Sequence, residues 1–263
     1  MLAAKVRPIR EGFHTVTPYL IVQQAEELIG FVKQAFGAEE LLRGTGSAGG
    51  IHCEVRITDS ILMIGGGGVW RGTPMPAAMH LYVRDADAAY RRALEAGASA
   101  IYDPIDQEYG DREAGVKDLA GNLWFLATHR ATGHAPPGLR TVTPYLLARG
   151  ASELSRFLQQ ALGAEETERA SAADGTVLHA KLKVGDSIVE LGEARGAFQP
   201  LPCSLYLYVP DADTWYQRAV QAGATSLMEP ADQSFGDRMG GIRDPAGNHW
   251  YFATHIRDLP PSP

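Results

Sequence analysis

The sequence predicts an α+β protein of four βαβββ modules paired into two domains, and three observations carry that reading. The first is a repeat of nearly half of the 263 residues. Val16-Thr-Pro-Tyr-Leu20 returns as Val142-Thr-Pro-Tyr-Leu146, and Tyr82, Asp111 and His129 return 126 positions later as Tyr208, Asp237 and His255. His52 and Asp59-Ser60 return 127 positions later as His179 and Asp186-Ser187, so one residue is gained and lost again in loops. The second is a finer period. Gly37-Ala38, Gly97-Ala98, Gly163-Ala164 and Gly223-Ala224 each close a helical segment, glycine supplying the left-handed conformation a C-cap needs. The third is a closing motif: Gly110-Asp-Arg112, Asp118, Gly121-Asn122, Trp124 and Thr128-His129, repeated between Gly236 and His255. It reads as strand, tight turn, strand.

The elements follow in order. Residues 1–11 read as a loose arm. Residues 15–22 form a strand in which Val16, Leu20 and Val22 alternate with Thr17, Tyr19 and Ile21. Residues 24–36 form a helix with Leu28, Val32, Ala35 and Phe36 on one face. Strands follow at 40–43, 51–58 and 61–64, the last two joined by Asp59-Ser60. The glycine run 65–68 has no helix after it to present amides to a phosphate, so it reads as a connector. In module two, residues 78–83 are a strand, and Asp85 caps a helix carrying Ala86, Ala89, Tyr90, Ala93 and Leu94. Strands at 99–102, 113–117 and 123–127 complete it. Residues 130–139 read as a linker between domains at 12–130 and 139–258. Modules three and four repeat the scheme, and the proline-rich tail 259–263 reads as disordered.

Composition narrows the class. Apolar residues at 45% can fill two ordinary cores. A net charge of −7 with only five lysines and no basic run argues against nucleic acid. No stretch has the length of a signal peptide or a membrane span, which predicts a cytoplasmic protein with no membrane partner. Cys53 and Cys203 are not equivalent in the repeat, so no disulfide framework is expected.

Alternation sorts the strands into two faces. Cys53, Val55, Ile57, Met79, Leu81, Val83, Leu205, Leu207 and Val209 are set to pack under helices. His52, Glu54, Arg56, His80, Tyr82, Tyr206 and Tyr208 share the opposite face, as do His179, Lys181 and Lys183. A face mixing histidine, tyrosine and charge suits the wall of a cleft. Asp118 and Asp244 with the following Gly-Asn are turn chemistry, Trp124 and Trp250 are core, and no nucleophilic triad stands out.

The Thr-Pro-Tyr-Leu strand, His52 with Glu54, Asp59-Ser60, His80-Leu-Tyr-Val, Gly110-Asp-Arg, Asp118 with Gly121-Asn122, and Ala127-Thr-His129 together resemble the vicinal oxygen chelate superfamily. That group holds the glyoxalases, bleomycin-resistance proteins and extradiol dioxygenases, and the closer resemblance is to its PhnB-like branch. The resemblance implies glyoxalase-like domains, each an eight-stranded mixed sheet curled around a cleft with helices on the outer face. It also implies a monomeric pseudo-dimer or a homodimer. The family's metal ligands fall, by strand register, at Thr17, Met63, Ala78 and Phe125 in the first domain and at Thr143, Glu190, Ser204 and Tyr251 in the second. Only Glu190 is a usable ligand. No cofactor is therefore expected, and the alternative is zinc, nickel or manganese on His179, Glu190 and His249.

The expected ligand-binding residues are Tyr19, His52, Glu54, His80, Tyr82, Arg112, Phe125, Tyr145, His179, Glu190, Tyr206, Tyr208, Arg238, His249 and Tyr251. Tyrosines offer flat amphipathic surfaces, histidines a neutral-range titration, and arginines an anion clamp. The expected function is binding of a small, partly aromatic molecule without a family-type metal. The alternative is a lyase or isomerase, metal-dependent or metal-free, active in the second domain. A scaffold with filled clefts is a third reading.

Overall fold

The computed structural model describes residues 6–258, so the tail expected at 259–263 lies outside the described residues. Module one is β1 (Val16–Val22), α1 (Ala25–Phe36), β2 (Glu39–Thr45), β3 (Ile51–Ile57) and β4 (Ser60–Gly66). Module two is β5 (Ala78–Tyr82), α2 (Ala86–Glu95), β6 (Ser99–Asp106), β7 (Asp111–Lys117) and β8 (Leu123–His129). Module three is β9 (Val142–Ala148), α3 (Ala151–Leu162), β10 (Glu165–Ser171), β11 (Val177–Val184) and β12 (Ser187–Glu193). Module four is β13 (Ser204–Tyr208), α4 (Ala212–Gln221), β14 (Thr225–Asp232), β15 (Asp237–Arg243) and β16 (His249–His255).

Local chemistry sets these boundaries. Gly37 and Gly163 cap α1 and α3 with φ of 69° and 65°. Asp85 and Asp211 each accept a hydrogen bond from the backbone of the first turn of α2 and α4. The Asp118 turn is saturated. Its carboxylate accepts bonds from the Ala120 and Asn122 amides, the Asn122 side chain and the Trp124 indole, and Asp244 repeats the pattern.

The sheets do not pair consecutive modules. One runs β14-β15-β16-β13-β1-β4-β3-β2 and joins module four to module one; the other runs β10-β11-β12-β9-β5-β8-β7-β6 and joins module three to module two. The expected domains at 12–130 and 139–258 thus each contribute half of both eight-stranded sheets. At the seams β1 lies antiparallel to β13 and β5 to β9. Helices from different sheets pack on one another, α1 on α2 and α3 on α4. The aliphatic sheet faces and the helices form one continuous core holding Trp124, Trp250, Cys53, Val55, Leu81 and Leu207. The repeated Asp-Ser turns bind the sheets together. Asp59 and Ser60 accept the amides of Thr141 and Val142, and Asp186 and Ser187 accept those of Thr15 and Val16.

The arm expected to be loose at 1–11 is held where it is described, from residue 6: the His255 amide donates to the Pro8 carbonyl at 2.9 Å, and Phe13 just beyond it is buried. Both cysteines are buried and free, as expected from their inequivalent positions.

Candidate functional site

The two sheets present faces built on the same plan and filled differently. The sheet of modules one and four encloses a cleft of about 1660 Å³. Tyr19, His52, Glu54, Tyr206, Tyr208, His249 and Tyr251 line it, which places seven of the sequence-predicted residues together. Strand ladders explain the convergence. Thr17 pairs with Tyr206, Glu54 with Met63, and Tyr206 with Tyr251, so one face collects them all. Tyr19 lies flat on β4 because Gly65 has no side chain, a Cβ there falling 2.6 Å from the Tyr19 hydroxyl.

The acidic groups of this cleft are paired. Tyr206 and Tyr208 donate to one oxygen of Asp237 at 2.7 and 3.0 Å, and His255 Nδ1 lies 2.8 Å from the other. Burial, then the Asp237 charge, pushes both tyrosines up, and burial pushes Tyr19 up to about 12, so these phenols stay neutral. Burial, then Arg243, holds His249 below its ordinary value. Burial opposes ionisation of Glu54, but bonds from His52 and Arg10 outweigh it and hold its carboxyl low. Phe13, Met63, Met228 and Met239 add apolar surface to the wall.

The sheet of modules two and three carries His80, Tyr82, Phe125, Tyr145, His179 and Glu190. Here the same positions are packed. Phe125 meets Tyr145 and Phe198 edge-on at ring centroid distances of 5.6 and 5.7 Å. His80 is held between two carboxylates, Nδ1 at 2.9 Å from Glu190 and Nε2 at 2.7 Å from Glu113. Tyr102 and Tyr109 donate to Glu113, and Tyr82 donates to Asp111. Burial works against the His80 charge, but Glu190 and Glu113 push it up to about 10, while His80, with His179 Nε2 at 3.5 Å, overcomes burial to hold Glu190 at about 2.

Two arginines are misplaced by the expectation. Arg112 and Arg238 clamp Asp87 on α2 and Asp213 on α4. Neighbours on a strand point to opposite faces, and Asp111 and Asp237 take the inward places. His249 also lies in a different sheet from His179 and Glu190, so that proposed trio does not assemble. The family register shifts by two residues as well. β5 sets His80, not Ala78, opposite Thr143, and β13 sets Tyr206, not Ser204, opposite Thr17.

With that register the inward set is Thr17, Met63, Tyr206 and Tyr251 in one sheet and His80, Phe125, Thr143 and Glu190 in the other. The first offers a cation only phenol and hydroxyl oxygens and one thioether sulfur. The second has donors of the right kind, and Asp111, Glu113 and His80 bring ligand-type atoms within 4.8 Å of one another. It does not fit an ion as arranged, because both His80 nitrogens already donate to carboxylates and Asp111 already bonds Tyr82 and His129.

Reading strand pattern alone missed Arg10, Phe13, Asp237, His255, Glu113 and the methionines. Alternation from Ala114 and Val116, both under helices, would have turned Asp111 and Glu113 inward, and the repeat would have carried that to Asp237 and Met239. Nothing local marks Arg10.

Comparison with known proteins agrees with this architecture. The profile of the Glyoxalase/Bleomycin resistance protein/Dioxygenase superfamily matches residues 146–252. An uncharacterized protein of Mycobacterium bovis is 30% identical over 129 residues, covering 45% of this chain and 85% of that protein. Among solved structures, glyoxalase I from Zea mays superposes with a TM-score of 0.68 at 14% identity, covering 90% of this chain and 92% of its own. A putative dioxygenase from Bacillus subtilis gives 0.62 at 14% identity, covering 97% and 87%. At that identity the two structures speak for the fold: two eight-stranded sheets in a two-domain pseudo-dimer. The chain belongs to the Glyoxalase/Bleomycin resistance protein/Dioxygenase superfamily.

Proposed function

We propose that the cleft between modules one and four binds a small, partly aromatic molecule without a metal ion, and that the face of modules two and three is a packed structural counterpart. The observation that carries this is reciprocal divergence at equivalent repeat positions. Where one sheet has Tyr102, Glu113 and Glu190, the other has Met228, Met239 and Met63. Unbranched thioether side chains adapt to irregular apolar guests and pack well on aromatic rings. Thr17-Pro-Tyr-Leu and Ala127-Thr-His129 favour a PhnB-like protein within the superfamily, acting as a monomeric pseudo-dimer. The test is a thermal-stability screen with planar aromatic compounds. Stabilisation abolished by Met63→Lys and kept in Phe125→Ala supports the reading, and the reverse pattern moves the site to the other sheet.

A second reading, a metal-dependent or metal-free lyase or isomerase in modules two and three, draws on the buried His80, Glu113 and Glu190 cluster, where an ion would have to displace a carboxylate from His80. Elemental analysis of untagged protein after exposure to zinc, nickel and manganese decides the metal-dependent form. About one retained ion per chain, lost in Glu190→Ala, would replace the metal-free account.

A further inference from the structure

The open cleft already contains a guest, supplied by the chain itself. Residues 10–13 line its wall, where Phe13 meets Tyr208 edge-on at 5.1 Å. The Arg10 guanidinium lies 4.1 Å from the centre of the Phe13 ring and bonds the Glu54 carboxylate. Glu54 is 2% exposed, and its other partner is His52 Nε2 at 3.5 Å. A cation stacked on an aromatic ring therefore neutralises a buried acid at the cleft wall.

The repeat shows which part of this arrangement is particular to the cleft. The linker before β9 follows the same path, the His129 amide donating to the His134 carbonyl as the His255 amide donates to that of Pro8. Pro136 stands at the position equivalent to Arg10, however, and Lys181 at that of Glu54. The path is common to both halves. The ion pair belongs to the open cleft alone.

We propose that Arg10 and Phe13 hold the place of a ligand, and that the cleft takes molecules joining a cationic group to an aromatic ring, the cation replacing Arg10 on Glu54. This rests on the reading that the cleft binds a partly aromatic molecule. Its physical basis is the cost of leaving Glu54 buried without a counter-charge. A neutral guest that lifts the arm strands that carboxylate, and an anionic guest adds to its charge and to that of Asp237. An amidinium, guanidinium or ammonium group restores the pairing, while Met63 and Met239 accept the aromatic part.

The experiment titrates the full chain, wild type and Arg10→Ala, with benzamidine, benzamide and benzoate, which share a ring and differ in charge. Binding is read from the methyl resonances of ¹³C-labelled methionines, Met63 and Met239 among them. The expected result is benzamidine binding Arg10→Ala at least about tenfold more tightly than wild type. Benzamide should show no such gain, Arg10→Lys should behave as wild type, and adding Glu54→Gln to Arg10→Ala should erase the effect. Equal perturbation of Met63 and Met239 by benzamide and benzamidine overturns the cationic preference and leaves the binding cleft standing. A preference for benzoate makes Arg10 an anion receptor and also overturns it. If none of the three compounds moves either methyl while the spectra stay dispersed, both the preference and the binding cleft fall.

Discussion

At position 80 an imidazole donates from both ring nitrogens to carboxylates, and an acceptor-only partner on each side obliges it to carry a charge. The stability of the packed sheet therefore depends on pH. His80 is raised from 6.5 to about 10, so its contribution is complete below 6.5 and is lost as pH climbs through about 10. Glu190, lowered from 4.5 to about 2, contributes fully above 4.5 and loses that only as pH falls toward 2. Denaturation curves of the wild type between pH 7 and 10.5 should show a decline that His80→Gln largely lacks. That variant should itself cost about 3 kcal/mol near neutral pH, because it removes the counter-charge of two buried carboxylates. Unchanged stability in His80→Gln would contradict the charged network. Gly192 gives a second test at this scale. A Cβ there would fall 2.6 Å from the Tyr145 hydroxyl and 2.7 Å from the Leu178 carbonyl. Gly192→Ala should lower stability by about 1–3 kcal/mol in chemical denaturation.

Among the elements, the Asp-Ser turns are where the two sheets are joined. The Asp186 carboxylate accepts the Thr15 amide at 2.8 Å and also contacts His14 and Arg140. Burial opposes its charge, but those bonds hold its carboxyl well below the ordinary range. Asp186→Ala should cost about 1–3 kcal/mol, measured by urea unfolding, because the Thr15 amide loses its partner. The wild-type contribution is present above the ordinary carboxylate range and fades as pH falls below it. Most elements were legible from periodicity and caps, since a cap or an alternating strand is specified by its own residues. The segment at 6–14 was not legible. Its order comes from Glu54, Tyr208 and His255, which lie far along the chain and leave no trace in the local pattern.

For the molecule as a whole, the pairing of module one with four and two with three makes each half of the chain incomplete. A fragment spanning 12–130 holds one half of each sheet, with the seam edges of β1 and β5 uncovered. We expect it to associate with a second copy, β1 of one against β5 of the other, or to remain unfolded. Light scattering coupled to gel filtration distinguishes these from a folded monomer, which would show that the fragment closes a sheet on itself. Among the described residues no helix is long and apolar enough to cross a membrane.

The order of elements, the four modules and the two faces of each strand are determined by the sequence, because side-chain periodicity and turn residues act over a few positions. The candidate site was partly visible for the same reason: alternation brings His52, Glu54, Tyr206 and Tyr208 to one face. Which modules share a sheet was decided only by tertiary structure. β1, β5, β9 and β13 are products of one repeated plan, so the chain pattern alone does not distinguish β1 beside β13 from β1 beside β5. In the folded chain α1 packs on α2 and α3 on α4, and the Asp-Ser turns of each sheet bond the first strand of the other. The same packing leaves one cleft open over methionine and tyrosine, and closes the other around a charged histidine.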